Sequence, residues 1–267
     1  MTVEITPATA GWTYSGLTVR TLAPGEVCTV STGPAETLVF PLSGGCTVVV
    51  AGSTFEVTGR PSVFEATTDF VYLPRSADAE IHSAGGAKLA FPSAVCTRTL
   101  PARYVPAANT EVELRGAGRC SRQVNNFCTP GAFEADKLIA CEVLTPGGNW
   151  SSYPPHKHDE VREGECELEE IYYFEVANGG MGYQRVYGTP DRPIDVLEEV
   201  RTDDVVLIPH GWHGPSMATP GYDLYYLNVM AGPGEKREWL ISDDPAHTWI
   251  RETWATEEVD PRLPFYR

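Results

Sequence analysis

Glycine and proline interrupt this sequence so often that it has little room for helices. Its 267 residues include 25 glycines and 22 prolines, spread along the whole length. A helix interior loses about 1 kcal/mol at a glycine and about 3 kcal/mol at a proline, and the uninterrupted stretches are too short to recover those losses. What lies between is rich in Val, Thr, Tyr, Phe and Leu, as in Cys46-Thr47-Val48-Val49-Val50-Ala51 and Phe70-Val71-Tyr72-Leu73. Short strands separated by regular turn residues predict an all-β chain, built as a sandwich or barrel. Only Ala132 to Asp136 and the tail from Asp243 to Ile250 read as short helices.

The regular spacing contains a repeat. Glu36-Thr37-Leu38-Val39-Phe40 runs to Gly44-Gly45, and Glu170-Ile171-Tyr172-Tyr173-Phe174 runs to Gly179-Gly180, an offset of 134. Asp69-Phe70-Val71-Tyr72-Leu73-Pro74 parallels Asp204-Val205-Val206-Leu207-Ile208-Pro209 at an offset of 135. Two matches at nearly one spacing predict a duplicated β-domain, with residues 1–120 as one copy and 121–267 as the other. A third match, Pro24-Gly25 with Pro146-Gly147, has an offset of only 122, so the second copy carries extra residues before its carboxylate strand.

Those extra residues contain or adjoin the most reactive stretch of the chain, Pro154-Pro155-His156-Lys157-His158. The prolines favour extended backbone, and on a strand His156 and His158 project from one face. At roughly 3.3 Å per residue they can converge on a single ion. Glu170 shares its strand face with Tyr172 and Phe174, whereas Glu169 points the other way. His213 leaves the turn Pro209-x-Gly211-x-His213 toward the same place, with His210 at the rim. Three imidazoles and a carboxylate make a mixed N/O set that leaves coordination positions open, as catalytic sites do. The set suits one divalent ion, Zn, Mn, Fe or Ni, with Zn or Mn favoured. The first copy has Glu36 but no His-x-His, so the metal site is predicted in the second copy alone. His82 and His247 read as structural or surface residues.

The formal charge of −16 opposes nucleic acid and anionic membrane. No apolar run approaches the roughly 18 residues of a membrane helix, and Met1-Thr2-Val3-Glu4 has no leader character. Seven cysteines without a C-x-x-C pair suit a reducing compartment. A cytoplasmic protein is expected. The same charge would repel a small anion, so a carboxylate-bearing ligand needs local cations to reverse the field. Arg185, Arg122 and Lys157 are candidates, with Gln184 beside them, because guanidinium and ammonium groups grip carboxylates. Arg162, between Glu160 and Glu163, reads as a surface ion pair.

Gly147-Gly148, His156-x-His158, Glu170 and Pro209-x-Gly211-x-His213 together resemble the two signature motifs of the cupin superfamily. The His-to-Glu gap is longer than usual and the second motif is one residue shorter. Tyr153-Pro-Pro-His-Lys-His-Asp159, Glu169-Glu-Ile-Tyr-Tyr-Phe174, Gln184-Arg-Val-Tyr187 and Pro220-Gly-Tyr-Asp-Leu-Tyr-Tyr-Leu-Asn228 resemble the 5-deoxy-glucuronate isomerase family of myo-inositol catabolism. The likeness spans nearly the whole chain and is strongest from Gln123 to Gly232. It implies a bicupin of two tandem β-barrel or jelly-roll domains, with metal ligands His156, His158, Glu170 and His213. It also implies a small anionic sugar-acid substrate, an aldose-to-ketose isomerisation, and assembly as a homo-oligomer. Moving a carbonyl to its neighbouring carbon requires proton abstraction and stabilisation of the developing oxyanion. The base stays open among a pocket tyrosine such as Tyr172, Glu163, and a metal-bound hydroxide. Competing readings are 4-deoxy-L-threo-5-hexosulose-uronate ketol-isomerase or another sugar-acid isomerase, an iron cupin dioxygenase, and a non-catalytic sugar-binding cupin.

Overall fold

The computed structural model describes residues 2–266, and most of them lie in strands. Among the described residues, α-helix is confined to Pro7–Ala10 and Ile250–Thr253. The short helix expected at Ala132 to Asp136 does not form. The chain makes a turn there, and the amides of Asp136, Lys137 and Leu138 bond to the Glu36 carboxylate instead of to a helix. The tail helix starts at Ile250, after a turn in which Asp244 accepts from the Ala246 amide. No described helix is long and apolar enough to cross a membrane.

The chain divides into two compact units. One comprises Met1–Glu111, Phe127–Ala140 and Val229–Gly232; the other comprises Val112–Asn126, Cys141–Asn228 and Pro233–Arg267. In the first unit nine strands form one sheet around the 16-residue strand Ala35–Val50. The first part of that strand pairs with Phe70–Leu73, and its last part pairs with Ser53–Arg60 and Asp78–Ser83. It changes partners through an irregular stretch at Pro41 to Ser43. Gly59 is obligatory near this bend: its φ is +69°, and a Cβ there would sit 1.7 Å from the Gly44 carbonyl oxygen. Alternating apolar residues, among them Val39, Val48, Val71, Ile81, Leu89 and Phe91, fill the core.

Most residues of the second unit's strands fall in two further six-stranded sheets. One has the order Glu111–Arg115, Arg122–Cys128, Ile139–Thr145, Leu224–Ala231, Glu169–Val176, Val205–Ile208. The other runs Arg192–Val200, Gly182–Thr189, Trp212–Ala218, His156–Lys157, Ser242–Asp243, with Trp150–Ser151 also paired to Trp212–Ala218. A separate hairpin, Asp159–Arg162 with Glu165–Glu167, stands between His158 and Glu170 in the chain.

The repeat is written into the strand register. Thr37, Leu38 and Val39 face Leu73, Tyr72 and Val71; Ile171, Tyr172 and Tyr173 face Leu207, Val206 and Val205. Both sides of the ladder therefore match at 134, and Leu73 corresponds to Leu207. The alignment of Pro74 with Pro209 is one residue out of step. A one-residue slip would turn every side chain to the other face, so ladder register is the better guide. An all-β fold is what the sequence predicts and what forms, while the two compact units interleave along the chain instead of dividing it at residue 120.

Candidate metal centre

His156 and His213 are directly opposite each other on antiparallel strands. Their rings meet edge to face, with centroids 4.5 Å apart. His158 follows two residues after His156, and its ring lies 4.8 Å from that of His213. Glu170 comes from the other sheet. Its Oε2 lies 3.0 Å from His158 Nε2 and 3.0 Å from His213 Nε2. His158, Glu170 and His213 form a tight group with ligand atoms within 4.8 Å of one another. His156 stands at its edge, against His213, and His158, Glu170 and His213 are all at most 2% exposed.

The long His-to-Glu gap does not separate these ligands. The acidic residues leave as a hairpin whose ends are sealed: the Leu168 amide donates to the His158 carbonyl at 2.9 Å, and His158 Nδ1 lies 3.2 Å from the Leu168 carbonyl. Glu170 follows two residues later.

The imidazoles are oriented alike. His156 Nδ1 faces the Pro154 carbonyl at 3.4 Å, His158 Nδ1 faces that of Leu168, and His213 Nδ1 faces that of Gly211 at 3.3 Å. A carbonyl can only accept, so each Nδ1 carries a proton and each neutral ring presents an Nε2 lone pair. Two of those lone pairs point at a carboxylate oxygen, and the buried His213 Nε2 has no hydrogen-bond partner among the described residues. Such an arrangement repels itself unless a cation sits between the donors or a ring gains a second proton. Bond lengths near 2.1 Å to one ion place adjacent donors about 3 Å apart, as here. The residues fit a divalent metal, and Nδ1–carbonyl contacts of this kind are how metal-binding histidines are held.

Electrostatics agree with a site built for positive charge. Where protons rather than an ion neutralise the cluster, burial would raise the Glu170 carboxyl, but a protonated His213 and His158 facing it hold it below the usual carboxylate range. Burial pushes His156 well below the ordinary histidine value, aided by the neighbouring imidazoles. For His158 burial acts downward too, yet the Glu170 hydrogen bond and charge prevail and raise it. Asn228 Nδ2 donates to the other Glu170 oxygen and fixes the carboxylate plane.

A cavity of about 200 Å³ opens beside His156, lined by Arg115, Arg122, Trp239, Ile241 and Arg251. It adjoins a narrower space reached by Glu170, Ser152, Tyr172 and Tyr226. Three arginines give this cavity a local positive field within a strongly acidic chain, and they are not equivalent. Arg115 is forked onto Glu113 at 2.8 and 2.7 Å, and Arg251 is paired with Asp243. Among the described residues, Arg122 meets only the carbonyls of Cys120 and Tyr153, with its guanidinium 5.3 Å over the Trp254 ring. Burial draws its pKa down to about 10, so it remains a cation at neutral pH. Tyr172 stacks on Tyr226 at 4.8 Å and shares a 3.0 Å hydrogen bond with Ser152. Burial and the Glu170 charge raise its phenol well above 10.

The other candidates lie elsewhere. Lys157 is buried against Asp159, Glu160 and Glu165, all within 2.7 Å. Gln184 is buried with Ser216 and the Arg185 carbonyl. Arg185 bonds Asp195 and lines an open groove with Trp150, Tyr187 and Leu197. Glu163 is exposed in the turn of the acidic hairpin. Sequence reasoning passed over Arg115, Trp239, Ile241 and Arg251, and gave Asn228 no role although it closes one of the quoted motifs.

Residues 1–250 match the KduI/IolB family. The 5-deoxy-glucuronate isomerase of Geobacillus kaustophilus is 42% identical over 94% of this chain and 91% of its own, and that of Bacillus subtilis 40% over 93% and 92%. The crystal structure of an IolB-like protein from Salmonella typhimurium superposes with a TM-score of 0.88 at 39% identity, covering 93% of this chain and 94% of that one. Bacillus subtilis oxalate decarboxylase shares the fold at a TM-score of 0.63 and 11% identity, over 91% of this chain and 74% of that one. With matches of this extent and identity, the chain belongs to the KduI/IolB family.

Proposed function

We propose that this chain is an aldose–ketose isomerase converting 5-deoxy-glucuronate to 5-dehydro-2-deoxy-gluconate, with one divalent metal held by His156, His158, Glu170 and His213. The observation that carries the reading is the pair of Nδ1-tethered imidazoles, His158 and His213, facing one buried carboxylate, with His156 packed against His213 at the end of a cavity that contains Arg122. Relatives bearing the isomerase name at 40–42% identity support the substrate. The reaction is an internal rearrangement: a proton leaves the hydroxyl-bearing carbon and returns to the aldehyde carbon, while a hydroxyl proton passes between the two oxygens. A metal bound here supplies a Lewis acid toward those oxygens.

The chain's own residues do the rest. Arg122, the cavity arginine bonded among the described residues only to backbone carbonyls, takes the substrate carboxylate, which supplies the counter-charge its burial lacks. Trp239 and Ile241 give the carbon chain an apolar wall. Tyr172 keeps its proton across the neutral range, so with Ser152 it serves as a hydrogen-bond donor rather than as a base. Glu163, on the exposed hairpin turn, is no part of this scheme.

Metal analysis of the purified protein, paired with an isomerisation assay before and after chelation, tests the proposal. Turnover should vanish with the metal and return with added Zn(II) or Mn(II). Undiminished turnover by metal-free protein would overturn it. Assaying 4-deoxy-L-threo-5-hexosulose-uronate alongside separates the two sugar acids.

A further inference from the structure

The acidic hairpin has a second cluster of ligand-like groups, Asp159, Glu160 and Glu165. It already holds a cation. Lys157 Nζ sits 2.6 Å from Asp159, 2.7 Å from Glu160 and 2.7 Å from Glu165, so the residue between the two histidines is locked into the hairpin that follows them. Asp159 does more than accept from Lys157. Its Oδ2 takes the Gly211 amide at 2.9 Å and pairs with Arg192 at 3.0 Å. The carbonyl of that same Gly211 faces His213 Nδ1. The Gly211 turn has little freedom of its own: φ is +90°, and a Cβ would fall 2.7 Å from the Tyr187 carbonyl oxygen.

We propose that Asp159 is a positioning residue for the metal centre, tying the His156-x-His158 strand to the His213 turn through the Gly211 peptide. It is next to His158 in the chain, bonded to Lys157 on one side and to the Gly211 amide on the other. One carboxylate therefore sets the spacing between ligands separated by more than fifty residues. The extra residues of the second copy act as a brace for the ligands they interrupt. This inference rests on the metal reading above.

The test is Co(II) binding to the metal-stripped full chain, followed by chelator competition and by the visible absorption of the bound ion. Loss of an outer residue that orients ligands lowers metal affinity by about 10–100-fold, and Asp159→Ala should fall in that range with an altered Co(II) spectrum. Glu160→Ala removes an exposed partner of the same lysine and should bind as the wild type does. Equal losses in both variants would overturn the assignment to Asp159. So would a folded Asp159→Ala that matches wild-type affinity and spectrum, even with a lowered unfolding temperature, because a merely structural role predicts that result. If Asp159→Ala does not fold, Arg192→Ala decides: the arginine is half exposed and touches Asp159 from outside. A several-fold loss of affinity there supports the proposal, and an unchanged affinity overturns it. Failure of the wild-type chain to bind Co(II) would instead remove the metal reading itself.

Discussion

Glu36 and Glu170 hold the same place in the two copies, and their surroundings make them different chemical objects. Each precedes the strand segment whose cross-strand pairs match at an offset of 134, and each is at most 1% exposed. Glu36 accepts the amides of Asp136, Lys137 and Leu138 at 2.9, 2.6 and 2.7 Å, and the Tyr72 hydroxyl at 2.7 Å. Four donors satisfy that anion from within its own unit. Glu170 accepts the Asn228 amide and otherwise faces two imidazole Nε2 atoms. A duplicated scaffold can bury a carboxylate in both copies, but only the copy that surrounds it with lone pairs calls for a metal.

The sharpest way to break that contrast is to change both residues. Glu170→Gln should abolish metal retention and, with it, turnover. Glu36→Gln should leave kcat/KM within about twofold yet lower stability by roughly 1–3 kcal/mol, because its new NH₂ must face backbone N–H donors. Metal content, turnover and denaturant midpoints read the two effects separately. If Glu36→Gln lost metal, the division of labour between the copies would be wrong.

Most of the candidate metal centre was legible in the sequence because its signals are local. His-x-His fixes a face, two prolines fix an extended backbone, and Glu170 starts a strand whose alternation decides between it and Glu169. The wall of arginines was not. Arg115, Trp239 and Arg251 lie in stretches with no shared motif, and only tertiary packing brings them to one cavity. Nor can a sequence tell which arginine is already paired. Arg185 looked as suitable as Arg122 until Asp195 was found bonded to it, ten residues away across a hairpin.

Arg122→Met carries the next largest effect. Removing a charged hydrogen-bonding partner of a substrate carboxylate costs about 1.5–3 kcal/mol, so KM for the sugar acid should rise by about 10–100-fold with metal content unchanged. Steady-state kinetics beside metal analysis would detect it. A fall in metal content instead would place Arg122 in the centre's support rather than in substrate binding.

The phenols that accompany the two carboxylates give a smaller, pH-dependent test. Burial, then the Glu36 charge, raises Tyr72 far above the usual phenol range. The folded state therefore keeps a proton that the unfolded chain releases above about pH 10, and stability falls as pH rises from there, by about 1.4 kcal/mol per pH unit. Tyr72→Phe should make that alkaline limb less steep in denaturation curves measured between about pH 9 and 11, bounds set by the free phenol value, while the other raised phenols keep part of it. An unchanged slope would mean that Tyr72 does not hold its proton for Glu36.

The smallest expected change separates the two arginines. Arg185 donates to the Val186 and Val196 carbonyls at 3.0 and 2.8 Å and pairs with Asp195, whose side chain is 85% exposed. A pair that open to water contributes about 0–1 kcal/mol, and the groove it lines shares no residue with the cavity of Arg122. Arg185→Ala should therefore change KM by less than about twofold and stability by less than about 1 kcal/mol. The value of this variant lies in its asymmetry with Arg122→Met. Both remove one guanidinium from the same unit of an acidic protein, so a general field effect on an anionic substrate would move both KM values together. Only a direct grip on the carboxylate raises KM in one and spares the other. A tenfold rise in Arg185→Ala would shift the substrate to the outer groove and leave Arg122 as a buried cation held by its stacking on Trp254.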